Sequence, residues 1–296
     1  MATYSIKDLE TLSGIKAHTI RIWEQRYGII KPGRTDTNIR YYDGEELRKL
    51  LKVSLLNKNG FRISKIAEMS DAEIRQRIIE IERDEDNEEV YISGLIDAMV
   101  NTDEEHFDKI LSSTNTKYGF EKTMINIIYP FLKKIGVLWM TGSINPAQEH
   151  FITNLIRQKT ISAIDAVFVP MKEYGNKYVL FLPEGELHEL SLLFAYYLLK
   201  VRKQQVIYLG QNLPLADLNT VCEFHKPDYI LSIFTSAPDV PDMQDYVNAM
   251  CQANSESKIV LTGGLLQRED ISLPGNALHL ESVTNLMHHL EETHLV

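Results

Sequence analysis

Four short runs within residues 177–296 constrain this chain more than any other feature: KYVLFLP (177–183), QVIYLG (205–210), YILSIF (229–234) and KIVLTGG (258–264). Each is rich in β-branched and aromatic residues and is apolar at consecutive positions, so a strand built from it needs cover on both faces. Helical patterns separate the runs, which is the rhythm of a parallel sheet sandwiched between helices. Ligands on such sheets bind beyond the carboxyl ends of the strands, here the loops after Pro183, Gly210, Phe234 and Gly264.

Residues 88–170 have a different period. Apolar positions recur at helical spacing over Glu89–Val100, Asp103–Ser113, Phe120–Met140 and Pro146–Val167, with turn residues between, as in an antiparallel four-helix bundle. The junction of the last two helices reads WMTGSINPAQEH. It places Trp139 at the end of one helix and Glu149 and His150 in the first turn of the next. Taken alone, Trp139 fits bundle core, and Glu149 is favoured by the positive end of the helix dipole. Residues 73–87 read as a helical linker ending in a solvated charge run.

The first 72 residues form a third block. Ser5 caps IKDLETLSG, Gly14 stops it, and KAHTIRIWEQRYG starts two residues later, which is helix-turn-helix spacing. The segment IIKPGRTDTNIRYYD contains Pro32, Gly33 and an extended NIRYY, predicting a short hairpin or wing, followed by helices near Gly44–Asn59 and Arg62–Met69. His18, Arg21 and Arg26 share a polar face of the second helix, while Ile20 and Trp23 turn inward. Lys31, Arg34, Arg40 and Tyr42 come from the wing.

Charge separates this head from the rest. The chain carries a net charge of −10, yet residues 1–70 hold 13 Lys and Arg against 8 Asp and Glu, while the remainder holds 18 against 33. Only the head suits an anionic polymer. Cationic side chains on a recognition helix and wing neutralise phosphates, and those at the helix start read base edges. Charge alone also fits, less well, a small protein-docking helical domain with a solvated basic face. No apolar run approaches the roughly 20 residues of a membrane span, no signal-peptide pattern opens the chain, and a cytoplasmic location is expected. Cys222 and Cys251 have neither disulfide nor zinc-site spacing and read as core fillers.

The order AHTIRIWEQRYGIIKPGRTDTNIRYY closely resembles the winged helix-turn-helix of MerR-family regulators over about 70 residues. Thr19-Ile20-Arg21, Glu24, Pro32, Arg34, Arg40 and Tyr42 carry the likeness. It implies binding of double-stranded promoter or operator DNA as a dimer, with Arg21, Arg40 and Tyr42 on the backbone.

In the C-terminal block, Glu186-Leu-His188-Glu-Leu-Ser191, Ser232-Ile-Phe234 and Gly263-Gly264 resemble the acidic-x-His-x-x-Gly, Ser-x-Leu and Gly-Gly series of methionine-synthase-type cobalamin domains. The resemblance implies that His188 ligates cobalt, with Glu186 beside it, and that Ser232, Gly263 and Gly264 line the slot for the nucleotide tail. Ser191 replaces glycine, adding a Cβ and hydroxyl where the tail runs close to the backbone. Phe234 replaces leucine and is expected to reshape the slot.

Trp139, nine residues, then Glu149-His150 matches the signature of light-sensing regulators of the CarH/LitR type, which place the same three blocks in the same order. By that resemblance Trp139 packs on the adenosyl group of adenosylcobalamin, Glu149 holds it, and His150 becomes a second cobalt ligand after light. The expected architecture is multidomain α and α/β: a winged helix-turn-helix (1–72), a linker (73–87), a four-helix bundle (88–170) and a Rossmann-like doubly wound parallel sheet (177–296). The expected function is that of a non-enzymatic DNA-binding regulator, a repressor, working as a dimer or tetramer under control of adenosylcobalamin and light. Two alternatives remain at this stage: a MerR-type regulator that senses another ligand or partner, and a corrinoid-carrying enzyme subunit.

Overall fold

The computed structural model describes residues 3–35, 38–82, 88–140, 144–170, 174–235, 243–266 and 271–294. The chain divides into two compact units, Met1–Leu155 and Ile156–Val296.

In the first unit, α1 (Ile6–Ser13) starts at a reciprocal capping box: Ser5 Oγ accepts from the Asp8 amide at 3.3 Å, and Asp8 Oδ2 accepts from the Ser5 amide at 2.6 Å. Gly14 ends it in the left-handed region, at φ 71°. Helix α2 (Ala17–Tyr27) follows, then the two-stranded wing of β1 (Gly33–Arg34) and β2 (Arg40–Tyr41), paired antiparallel. Helices α3 (Gly44–Lys58), α4 (Ile63–Ile66) and α5 (Asp71–Glu82) complete the head and the linker. The helix expected over Arg62–Met69 is a single α-turn, because beyond Ala67 the amides of Glu68 and Met69 bond three residues back and tighten the chain.

The bundle begins with α6 (Glu88–Asn101) and α7 (Glu104–Tyr118). The helix expected as one piece over Phe120–Met140 is α8 (Phe120–Thr123), a π-turn over Met124–Ile128 and α9 (Tyr129–Met140). Pro130 supplies the reason: it offers no N–H and its ring excludes the carbonyl four residues back, so the ladder widens just before it. Helix α10 (Pro146–Ala166) crosses the boundary between the units.

Head and bundle fall within one compact unit. Helix α1 packs on α9, and α3 packs on α6. Glu89 of α6 accepts from Lys58 of α3 at 3.0 Å and from Lys134 of α9 at 2.7 Å. Leu9, Leu50, Leu95, Phe107 and Phe131 are fully buried, each worth roughly 1.5–3 kcal/mol of burial.

The second unit holds five parallel strands: β3 (Lys177–Pro183), β4 (Gln205–Leu213), β5 (Tyr229–Ile233), β6 (Lys258–Thr262) and β7 (Ala277–Leu280), in the order β4-β3-β5-β6-β7. Helices α11 (Glu189–Val201), α12 (Leu215–His225), α13 (Met243–Ala253) and α14 (Val283–His294) connect or follow them. This is the expected Rossmann-like doubly wound sheet, with β7 as a fifth strand that the apolar runs did not announce. Alternation along the strands divides the core. Val179, Phe181, Ile230, Phe234, Ile259 and Leu261 form one cluster with Val247 and Met250 of α13 and Leu218 of α12. On the opposite face Tyr178 stacks on Tyr229 at 4.6 Å, and His289 of α14 meets the Tyr229 ring edge-on.

Candidate functional site

Strand order reverses at β3: the chain runs outward to β4, then returns to β5 on the other side. The crevice at such a switch point lies beyond the carboxyl ends of β3 and β5, and the residues there are connected. After Pro183, Gly185 takes φ 83° and donates its amide to Asn212 Oδ1 at 2.8 Å. This turn sends the Glu186 side chain inward, where it is fully buried. Its Oε2 accepts from the Thr235 amide, just past β5, at 2.8 Å. Its Oε1 accepts from the His188 amide at 3.0 Å and lies 2.5 Å from His188 Nδ1.

An ionised carboxylate can only accept, so Nδ1 carries the proton and Nε2 carries the lone pair. That tautomer, on a side chain 60% exposed, is the form that ligates a metal through Nε2, and the carboxylate raises its ligand strength. Next to it, Glu189 accepts from Tyr208 at 3.0 Å and from Arg157 at 2.8 Å. Burial, followed by the negative charge of Glu189, holds the Tyr208 phenol well above its ordinary range. Arg157, Glu189, Tyr208 and Thr235 escaped sequence reasoning. An acidic residue following a histidine at a helix start was the only signal for any of them.

The other expected cofactor residues take varied positions. Ser232 is fully buried on β5, and among the described residues its Oγ has no hydrogen-bond partner, which leaves a polar atom whose desolvation is uncompensated by them. Gly263, at φ 118°, follows β6 so closely against β5 that a Cβ would lie 2.1 Å from the Phe234 carbonyl oxygen, whereas Gly264 faces open space. Ser191 is half-buried in the first turn of α11. Phe234, expected to reshape a slot, is fully buried in the α12–α13 face of the core with its ring edge-on to Tyr246 at 6.2 Å. The orphaned hydroxyl and the oriented imidazole fit a corrinoid: a ligand for cobalt and a polar group where a tail would run.

In the first unit, Glu149 and His150 lie in the first turn of α10. Glu149 Oε2 is 3.0 Å from His150 Nδ1, its Oε1 accepts from Thr153 at 2.8 Å, and the imidazole is 70% exposed. The backbone of Trp139 belongs to α9, while its side chain lies outside the described residues.

The head presents His18, Arg21, Arg26, Lys31 and Arg34 exposed. Arg34 donates to Asn38 across the wing turn at 2.6 Å. Glu24 organises the remainder: it accepts from Arg40 Nε at 3.3 Å and from the Tyr42 hydroxyl at 3.2 Å. Tyr42 is fully buried, pairs with Tyr4 through backbone bonds of 2.8 and 2.9 Å, and supports the wing from beneath. Burial and the neighbouring Glu24 push its phenol up to about 12.

Residues 4–73 match the profile described as MerR HTH family regulatory protein, and residues 91–161, over the bundle helices, match the profile described as B12 binding domain. The chain joins a MerR-type helix-turn-helix to a B12 binding domain. The head is thus a MerR-type regulatory helix-turn-helix. It is similar to two proteins of Myxococcus xanthus, the HTH-type transcriptional repressor CarH (26% identity over 273 residues, 90% of each chain) and the HTH-type transcriptional repressor CarA (26% over 271 residues, 91% of this chain and 89% of that one). In fold, 67% of the chain superposes on 96% of the Methanosarcina barkeri monomethylamine corrinoid protein, with TM-score 0.51 and 16% identity. Among the described residues no helix is long and apolar enough to cross a membrane. Both cysteines are buried, which pushes their thiols up to about 11.

Proposed function

We propose that the chain is a DNA-binding repressor whose oligomerisation and operator binding are controlled by adenosylcobalamin and light. The observation that carries the reading is the His188 imidazole held by the buried Glu186 at the switch point of the sheet. His188 would ligate cobalt, with Glu186 setting its tautomer, and Ser232, Gly263 and Gly264 would line the slot for the nucleotide tail. When bound, adenosylcobalamin supplies a cobalt–carbon bond that light breaks. Glu149, His150 and Trp139 are the bundle's contribution: the carboxylate accepts from ribose hydroxyls, the indole covers the adenosyl group, and the exposed imidazole offers a second nitrogen ligand. His18, Arg21, Arg26, Lys31, Arg34 and Arg40 face the operator, and dimers or a tetramer couple the two sites by about 1–3 kcal/mol per site.

The test is to purify the full chain with adenosylcobalamin in the dark, then record its absorption spectrum, oligomer size and operator binding before and after green light. A corrinoid spectrum, with light-dependent loss of the assembly and of DNA binding, is expected. Operator binding without any corrinoid spectrum overturns the cofactor half and supports the second reading, a MerR-type regulator of another ligand. The half-buried Ser191, where a glycine is expected, favours that second reading.

A further inference from the structure

A cavity of about 380 Å³ lies within the first unit, between α3 of the head, the linker helix α5 and the bundle helices α6 and α7. None of its lining residues is among those assigned above to DNA or corrinoid. Its floor is apolar: Leu51 and Leu55 of α3, Ile78 of α5 and Val90 of α6. Its volume falls in the range of small-molecule sites, about 300–1,000 Å³.

The charges around it are unbalanced. Arg48, Lys52 and Arg75 line the cavity, with Asp97 as the one carboxylate among the residues lining it. Asp97 is already engaged, 3.6 Å from Arg48 Nε and 3.7 Å from His106 Nδ1. Among the described residues neither Lys52 nor Arg75 has an ion-pair partner. In a chain of net charge −10, Lys52 and Arg75 are exposed cations from two different helices set beside an apolar floor. An apolar body against the floor and one negative group paired with Lys52 and Arg75 suit this lining, the usual division of labour in a small-molecule site.

We infer that this cavity binds a small organic anion with an apolar body, of the medium-chain carboxylate class. Because α3 carries the head's core while α6 and α7 belong to the bundle, such an occupant holds the two together and constitutes a second input, independent of the corrinoid.

The experiment titrates the full chain with decanoate by calorimetry, with decanol as the uncharged analogue. One site is expected, and decanol is expected to bind at least about tenfold more weakly. The double variant K52E/R75E should lose at least about tenfold in decanoate affinity, and K52M/R75M, which keeps the side-chain bulk, should lose a similar amount with an unchanged helical circular dichroism spectrum. H188A, which removes the proposed cobalt ligand, should bind decanoate as the parent does, so failure of the corrinoid reading leaves this one standing. Absence of saturable decanoate binding, equal affinity for decanol, or undiminished binding in both double variants would overturn the inference.

Discussion

His188 Nδ1 lies 2.5 Å from the Oε1 of Glu186, a carboxylate with no solvent exposure whose second oxygen accepts from the Thr235 amide. One side chain thereby sets the imidazole tautomer and ties the end of β3 to the end of β5. Glu186→Gln replaces an obligate acceptor with a group that also donates, so the fixed tautomer is lost. Corrinoid affinity, measured by spectral titration, should fall about 10- to 100-fold. H188A should abolish the spectral signature of a nitrogen ligand. An E186Q variant binding as tightly as the parent would remove Glu186 from the site.

Glu24 holds Arg40 and Tyr42 together, so its loss should cost DNA affinity through the wing. E24A is expected to weaken operator binding although it removes a negative charge from a DNA-facing domain, the opposite of what charge alone predicts. R21A should instead weaken binding across all sequences and lower the slope of log K against log salt by about 1. Fluorescence anisotropy over a salt series distinguishes the two.

Tyr42 adds a pH signature. Its folded pKa, about 12, lies above its ordinary value of 10.0, so the folded chain keeps the phenolic proton that the unfolded chain releases. The stability tied to this proton is complete below pH 10 and is lost as pH rises toward about 12. Y42F should remove this loss and, at neutral pH, destabilise the first unit by about 1–2 kcal/mol through the missing hydrogen bond to a charged acceptor. Denaturant melts at pH 7 and 11 check both effects.

Glu89 should tie stability to pH from the acid side. Burial raises its pKa, but the ammonium groups of Lys134 and Lys58 outweigh burial and the carboxyl stays below its ordinary range. Its contribution is therefore present above the unfolded value of 4.5 and is lost as pH falls below it. E89Q should cost roughly 1–3 kcal/mol at pH 7 and progressively less as pH falls below 4.5, as read from urea unfolding.

The adjacent glycines should respond differently. Gly263→Ala places a Cβ 2.1 Å from the Phe234 carbonyl oxygen at φ 118°, and a destabilisation of about 3 kcal/mol or more is expected. Gly264→Ala meets open space and should change the melting temperature little. The glycine requirement at 263 arises from the chain's own backbone, independent of any ligand.

Local pattern determined much of this protein. The cap at Ser5, the glycine stop at 14, and the runs that became β3, β5 and β6 were legible because helix ends depend on residues close in sequence and doubly covered strands must be apolar throughout. The MerR-like order of the head and the acidic-x-His pair were legible for the same reason: their meaning lies in short spacings. Tertiary structure decided the rest. Strand β7 exists because β6 offers it a partner, since its ALHL sequence is too short and half-covered to announce a strand. Tyr42, a wing residue beside arginine, became core because Tyr4 pairs with it across 38 residues of chain. Glu186 and His188 are neighbours in sequence, yet the carboxylate is buried and directed only because Thr235, 49 residues away, donates to it. Periodicity records which side of an element is apolar; what that side meets, and which polar group loses its water there, is set by contacts between segments far apart in the chain.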